Sequence, residues 1–339
     1  MILPFITVII VVHRKRQNYL PYAIESVLNQ TLNRTSYEII LVKDFEDNVM
    51  SNDLSKKGVQ VLTLLDDRES AKLALGISYS KGEVLCFLED DDTFDSNKLS
   101  DVFTLFSLNH DIVFYKNKIK MIDQSGIEIV NGHNKRLERN KFGGNACLVQ
   151  ARNRQSLSEL VKLESDFNIS SISIRKSILL NHLQQLSSLH ASFDVFFMII
   201  AYLSKGEMFA DQKCLTFFRV HGFNMSKFGE GDIIAFKHHL RESLLSDTAS
   251  FKLIASIVPN SYSEVLDYTW LRYHLFKSML ILTSSGEYGR SEMAQNLLSA
   301  MKFLWGGYDG RKILLTRLLY SCIFIVSPSI ALRMFYKFR

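Results

Sequence analysis

The sequence predicts an α/β domain, a mostly parallel sheet flanked by helices, followed by a helical C-terminal region. Over the first 120 residues, fully apolar β-branched runs alternate with amphipathic segments, the pattern of a parallel sheet covered on both faces. From Asp232 onward the pattern is helical. Of the 339 residues, 47% are hydrophobic and 22% charged, which supplies a core and excludes extensive disorder. That length suits one large domain or two ordinary ones.

Ile6–Val12 is an unbroken apolar run and reads as the first buried strand. No basic stretch precedes it and no small-residue cleavage site follows, unlike a secretory leader. Gln17–Gln30 reads as a helix with Leu20, Ala23, Ile24, Val27 and Leu28 on one face and Pro21 in its first turn. Strands are expected at Glu38–Val42 and Val59–Leu64, then a helix at Glu69–Tyr79 closed by Gly82 as a C-cap. Glu83–Leu88 is a fourth strand, Ser96–Leu108 a helix and Asp111–Lys118 another strand. The polar stretch 124–166 reads as a mobile loop. Phe167–Ile174 resembles a strand, Ser177–Leu186 a helix, Ser192–Ser204 an apolar helix interrupted by Asp194, and Cys214–Val220 a strand. Helices are expected at about 232–257, 262–284 and 290–304.

Four scattered cysteines without a CxxC pair argue against a zinc ribbon, a redox motif or a disulfide scaffold. The net charge of +5 is local: residues 311–339 carry six cations and no acid, leaving −1 for the rest. A globally basic nucleic-acid binder is thereby disfavoured, and no nucleic acid is expected as a partner. No GxGxxG follows the first strand, which removes the dinucleotide-dependent hydride-transfer class.

Ligands of such sheets bind beyond the carboxyl ends of the strands. That places His13-Arg14, Lys43-Asp44 and the run Glu89-Asp90-Asp91-Asp92 along one edge. Four successive carboxylates after a buried strand repel one another, and a hard divalent ion such as Mg²⁺ or Mn²⁺ relieves the repulsion. The competing reading is an acidic lead into the helix that starts near Asp95 and Ser96.

The strings Thr7 to Lys15 (TVIIVVHRK), Ala23 to Thr31 (AIESVLNQT), Tyr37 to Asp44 (YEIILVKD) and Ser80 to Asp92 (SKGEVLCFLEDDD) together resemble family-2 glycosyltransferases. The resemblance continues at Lys98-Leu99 and at Leu215 to Ser226 (LTFFRVHGFNMS), and covers about residues 4–226. Val42 to Phe45 and the apolar C-terminus look nearest an archaeal-type subgroup. The resemblance implies a GT-A fold, a nucleotide-sugar donor and inversion at the anomeric carbon. It implies metal and ribose contacts at Glu89 and Asp91, with Asp90 and Asp92 adjacent; Glu89 departs from the usual Asp. It further implies nucleotide contacts at Val12, His13, Arg14 and Asp44, with Lys15 beside them. Where relatives carry Ala-Arg-Asn, this chain has Leu73-Ala74-Leu75, so Lys72 or Arg68 is the expected substitute for the phosphate-binding arginine.

Asp194 sits in an apolar run where a carboxylate is costly unless used or paired. It is the expected general base; the competing reading is an N-cap, with Ser192 or Asp194 starting the helix, and both can hold. His221 matches the element that closes the family domain, as a metal or diphosphate contact or as a structural histidine. Residues 1–228 are expected to form the catalytic domain, with 1–120 the nucleotide-sugar half and 121–228 the acceptor half. A helical region at 229–310 and a basic, apolar, membrane-associating helix at 311–339 follow. Only 15 uncharged residues separate Arg317 from Arg333, short for a span, so a shallow, kinked or re-entrant membrane helix, peripheral or monotopic at the cytoplasmic face, is expected. A helix packed on the protein is the alternative. Membrane attachment suits a lipid-linked or surface-glycan acceptor. The competing functions are a non-catalytic sugar-nucleotide-binding or scaffolding relative and a nucleotidyltransferase.

Overall fold

The computed structural model describes residues 3–14, 17–129, 146–150, 152–221, 233–284, 287–303 and 311–337. The chain opens with β1 (Ile6–Val12), a 3-10 turn at Gln17–Tyr19 and α1 (Leu20–Leu28), followed by β2 (Tyr37–Lys43), α2 (Asn48–Lys56), β3 (Val59–Thr63), α3 (Glu69–Tyr79) and β4 (Val84–Glu89). Then come β5 (Thr93–Phe94), α4 (Lys98–Leu108), β6 (Ile112–Ile122), β7 (Cys147–Val149), α5 (Arg154–Lys162), β8 (Ile172–Arg175), α6 (Leu183–Ser187), α7 (Phe193–Leu203) and β9 (Glu207–Arg219). The remainder is α8 (Ile233–Ile257), α9 (Ser263–Thr283), α10 (Arg290–Met301), α11 (Arg311–Val326) and α12 (Pro328–Lys337). Two compact units result. One comprises Met1–Arg152, Lys162–Ser188 and Phe193–Lys227; the other comprises Asn153–Val161, Leu189–Ser192 and Phe228–Arg339.

The first unit is built on one sheet in the order β3-β2-β1-β4-β8-β6-β9-β5, with β7 on β9. The expected parallel pairing holds from β3 to β4. β8 then joins antiparallel to both β4 and β6, while β6 and β9 run parallel. Helices cover both faces, as the doubly apolar strands require. Ile6, Val8, Ile10 and Val12 share a core with Leu20, Ala23, Ile24 and Val27 of α1 and with Leu99, Val102 and Phe106 of α4. On the opposite face α3 approaches so closely that a Cβ on Gly76 would lie 2.7 Å from Ile9. There Phe197 of α7 also stacks on Phe87, ring centres 4.7 Å apart.

Several expectations need correction. The first helix begins with a 3-10 turn and is continuous only from Leu20. The helix α2 falls in a stretch left unassigned; its Asp47 N-cap accepts from the Met50 N–H. The 124–166 stretch is not simply loop, since β7 and α5 lie within it; residues 130–145 fall outside the described region, as does Lys15. Phe167–Ile174 is strand only from Ile172, because Asn168 takes φ 57 and ψ 100 and residues 169–171 form a 3-10 turn. Ser177–Leu186 is two 3-10 turns leading into the short α6. Gly82 is not a C-cap: α3 ends at Ser80 with extended backbone. The need for glycine is steric, since a Cβ at Gly82 would lie 2.5 Å from the Thr7 nitrogen and 2.6 Å from the Ile6 carbonyl carbon.

The second unit is helical, with Leu240, Leu244, Leu280, Ile281, Met293, Phe324 and Ala331 in its core. α11 and α12 are separate helices broken at Ser327, with Pro328 at the first position of α12, where no backbone donor is needed. No helix among the described residues is long and apolar enough to cross a membrane.

Candidate active site

The register of the parallel strands creates the site. Val12 pairs with Lys43 and Val11 with Glu89, so β1, β2 and β4 end side by side. The residues that leave those ends are His13, Asp44 and Asp90. The His13 N–H donates to Asp90 Oδ2 at 3.1 Å, and the Arg14 N–H donates to Asp44 Oδ1 at 2.9 Å. Lys72, buried on α3, donates from Nζ to Asp44 Oδ2 and to the Val12 carbonyl, both at 3.1 Å. His13 Nε2 lies 3.5 Å from the same Asp44 oxygen. Burial pushes the Asp44 carboxyl up, but the Arg14 N–H, Lys72 and His13 outweigh it and hold it below the usual range.

The structure therefore brings Val12, His13, Arg14, Asp44 and Lys72 together as the sequence suggested. The Lys72 ammonium braces Asp44 and the end of β1. Arg68 is engaged as well, with Asp66 at 2.6 Å and the Ser187 carbonyl at 3.1 Å.

Asp90, Asp91 and Asp92 are buried and Glu89 half-buried. β9 closes over this loop. His221, two residues past its end, places Nε2 2.9 Å from Asp91 Oδ2. The Tyr19 ring packs on His221 at 4.8 Å, and the Arg219 guanidinium lies over Tyr19 at 4.9 Å and Tyr22 at 5.4 Å. Arg219 Nε donates to the Asp91 carbonyl at 3.0 Å and its N–H to Asp92 Oδ1 at 3.0 Å. Asp92 is pushed up to about 7 by burial and by neighbouring Asp91.

The chemistry of Asp91 and His221 suits a divalent ion. Among the described residues, however, no group of three or more His, Cys, Asp or Glu side chains is assembled for one. Of the three expected metal ligands, Asp91 and His221 meet, whereas Glu89 Oε2 is turned to Asn168 Nδ2 at 3.4 Å.

Beneath the loop lies machinery the sequence reading missed. Asn168 Nδ2 donates to Asp92 Oδ2 at 2.9 Å, and the Glu89 N–H donates to Ser170 Oγ at 3.0 Å. Asn168 Oδ1 is buried without a hydrogen-bond partner, a cost of about 1–3 kcal/mol. Its left-handed backbone adds a further cost, which surrounding structure must over-determine. Two buried lysines do so. Lys98 Nζ donates to Asn117 Oδ1 at 2.9 Å, the Ser170 carbonyl at 2.6 Å and Thr216 Oγ1 at 3.0 Å. Lys116 donates to the Phe167 carbonyl at 2.6 Å and to Ser171 Oγ. Burial pushes Lys98 down to about 7 and Lys116 down to about 8. The available signal was Lys98 itself, a charged residue in the apolar pattern of α4.

Asp194 lies in the first turn of α7 and is half-buried, with Oδ1 accepting the Val195 N–H at 2.8 Å. The helix starts at Phe193, so Asp194 is not its N-cap; the helix dipole favours its negative charge there. Its negative charge, with those of Glu164, Asp166 and Asp92, opposes the burial-driven lowering of Lys116.

Residues 7–152 match the model of the family described as Glycosyl transferase family 2. A protein of Rickettsia bellii (strain RML369-C), described as an uncharacterized glycosyltransferase, is 30% identical over 132 residues, which are 37% of this chain. The chain spans 19% of that relative's length. Among solved structures, S. aureus TarS 1-349 superposes with a TM-score of 0.59 at 14% identity, covering 98% of this chain and 92% of that one. The same TarS fragment in complex with UDP-GlcNAc gives 0.57 at 15% identity, with the same coverage. At such identity the likeness shows the fold, which is GT-A-like.

Proposed function

We propose, with the family-2 glycosyltransferase domain at residues 7–152 as the premise, that this chain transfers a sugar from a nucleotide-sugar donor to a hydroxyl acceptor. The acceptor is a lipid-linked or surface glycan. The observation that carries the reading is the convergence of three parallel strand ends, with Asp44 braced by Lys72 and Asp91 by His221. A uracil nucleotide is the preferred donor, since a structure of similar fold is a UDP-GlcNAc complex.

In this reading His13, Arg14 and Asp44 hold the base and ribose, and Val12 lines the floor. Glu89, Asp90 and Asp91 face the diphosphate. A Mg²⁺ or Mn²⁺ ion held by Asp91 and His221 would supply neutralisation of the charge that develops on the leaving diphosphate. Asp194 accepts the acceptor hydroxyl proton as that oxygen attacks the anomeric carbon and the nucleoside diphosphate departs, with inversion. The acceptor side is formed from residues 121–228.

The reading extends to a membrane surface at the cytoplasmic face. The cations of residues 311–339 supply the charge, and exposed Leu319, Val326 and Ile330 supply apolar contact. Cosedimentation with phosphatidylserine vesicles but not with phosphatidylcholine vesicles is expected; equal recovery with both contradicts it.

The test of the transferase reading is to incubate the full chain with Mn²⁺ and a panel of nucleotide-sugars and to follow release of nucleoside diphosphate. Release from one donor class, abolished in Asp91→Asn, is expected. Bound nucleotide without release from any donor, with or without glycan acceptors, favours the non-catalytic relative. The burial of Lys72 and the lack of an arginine on α3 are the observations on that side.

A further inference from the structure

We propose that Asn168 is a positioning residue for the acidic loop, and that the 168–171 turn, pinned by Lys98 and Lys116, pre-organises Glu89 and Asp92 for donor binding. The inference rests on the donor-site reading above and deepens it.

The turn and the loop are linked twice. Asn168 Nδ2 serves both Asp92 Oδ2 and Glu89 Oε2, and Ser170 Oγ accepts the Glu89 N–H. Arg219 holds Asp92 Oδ1 from the other side, but without Asn168 the amide that joins Asp92 Oδ2 to Glu89 Oε2 is lost. The orientation of the amide is dictated, because the reverse would turn its oxygen toward two carboxylates. Keeping it leaves Oδ1 buried without a partner and holds the residue at φ 57. A residue serving only as a turn would not need this amide, since glycine takes that backbone without cost. Both unfavourable features are tolerated because Lys98 and Lys116 hold the carbonyls and hydroxyls of the same turn from below. Neither lysine has a carboxylate as its hydrogen-bond partner in these contacts. Their three-point and two-point grips on β6, β9 and residues 167–171 make the turn a fixed platform, on which the first acid of the run and its last are both seated.

The test compares Asn168→Gly, which keeps the backbone and loses the amide, with Asn168→Asp, which keeps the shape and adds a carboxylate facing Asp92. We expect nucleoside diphosphate with Mn²⁺ to bind about tenfold more weakly to the glycine variant, and more weakly still to the aspartate variant. The KM for donor should rise by the same factor while the KM for acceptor stays level. A glycine variant with the wild-type affinity overturns the proposal and leaves Asn168 a turn residue. A second measurement needs no donor. The thermal midpoints of Asn168→Gly, Asp92→Asn and the double variant, without ligand, form a cycle. Non-additive shifts are expected, because the two side chains act on each other; additive shifts overturn the positioning role. If wild-type protein binds no nucleotide, the donor-site reading fails and this cycle alone decides the role of Asn168.

Discussion

His221 Nε2 lies 2.9 Å from Asp91 Oδ2, although 130 residues separate them in sequence. This pair fastens the end of β9 onto the acidic loop, and Tyr19 and Arg219 pack around it. Replacing His221 with alanine should weaken Mn²⁺-dependent nucleotide binding by at least about 10–100-fold, since even a group that only orients a metal ligand is worth that much. Isothermal titration with and without Mn²⁺ reads this directly. Equal loss with and without metal would make His221 a packing residue only.

The buried Lys72–Asp44 pair should matter to stability as well as to binding. Lys72→Met leaves the Asp44 carboxylate buried without its ammonium, a change that costs about 3–5 kcal/mol in comparable pairs. The pH dependence follows from the depressed Asp44 pKa. The contribution is present above the unfolded-chain value near 4 and is lost as pH falls through the lower folded value. Acid unfolding of Lys72→Met should therefore begin at higher pH than in wild type. Coincident acid transitions would contradict the pairing.

Lys98 should act in the same direction but in an alkaline window. Its folded pKa is about 7 because burial disfavours the charge, whereas the unfolded chain holds the proton to about 10.4. Between those values the unfolded state binds more protons, so this group makes stability rise with pH. Urea unfolding at pH 7.5 and 9.5 should show wild type gaining up to about 2 kcal/mol relative to Lys98→Met. A constant difference between the two proteins would mean that Lys98 stays charged in the fold through its three acceptors.

Gly82→Ala should destabilise the first unit by at least about 2 kcal/mol, since the new Cβ meets β1 backbone that has no room to yield. The contacts are 2.5 Å to the Thr7 nitrogen and 2.6 Å to the Ile6 carbonyl carbon. Calorimetry gives the shift; an unchanged midpoint would show that β1 and the turn before β4 separate easily.

What the sequence made legible was whatever local pattern encodes. β1 and Val84–Leu88 of β4 are apolar runs, and the four acids begin at Glu89, the last residue of β4, so the site edge could be placed before the fold was known. Asp44 and Lys72 were identifiable as site residues, but their mutual contact was not, because α3 folds back over the sheet to create it. Asn168 and Lys116 left no local signal: their roles depend on contacts with residues tens of positions away. The alternation over Phe167–Ile174 even suggested a strand, and only the positive φ of Asn168 breaks it. α2 was missed because it is short and largely polar, and apolar periodicity cannot reveal a helix that buries only Leu54. The tail reads as one apolar stretch, yet Pro328 starts a new helix within it.

The ends of β1, β2 and β4 are proposed to form a nucleotide-sugar donor site whose key carboxylate is Asp91. Thermal unfolding of the full chain with uridine diphosphate and Mn²⁺, beside Asp91→Asn, tests it most directly. Ligand bound only to the native state raises the midpoint, by about 2.7 kcal/mol of stabilisation at a hundredfold excess over Kd. A Mn²⁺-dependent rise is expected in wild type and is lost in Asp91→Asn. A wild-type midpoint unmoved by any nucleoside diphosphate, with or without Mn²⁺, would contradict it.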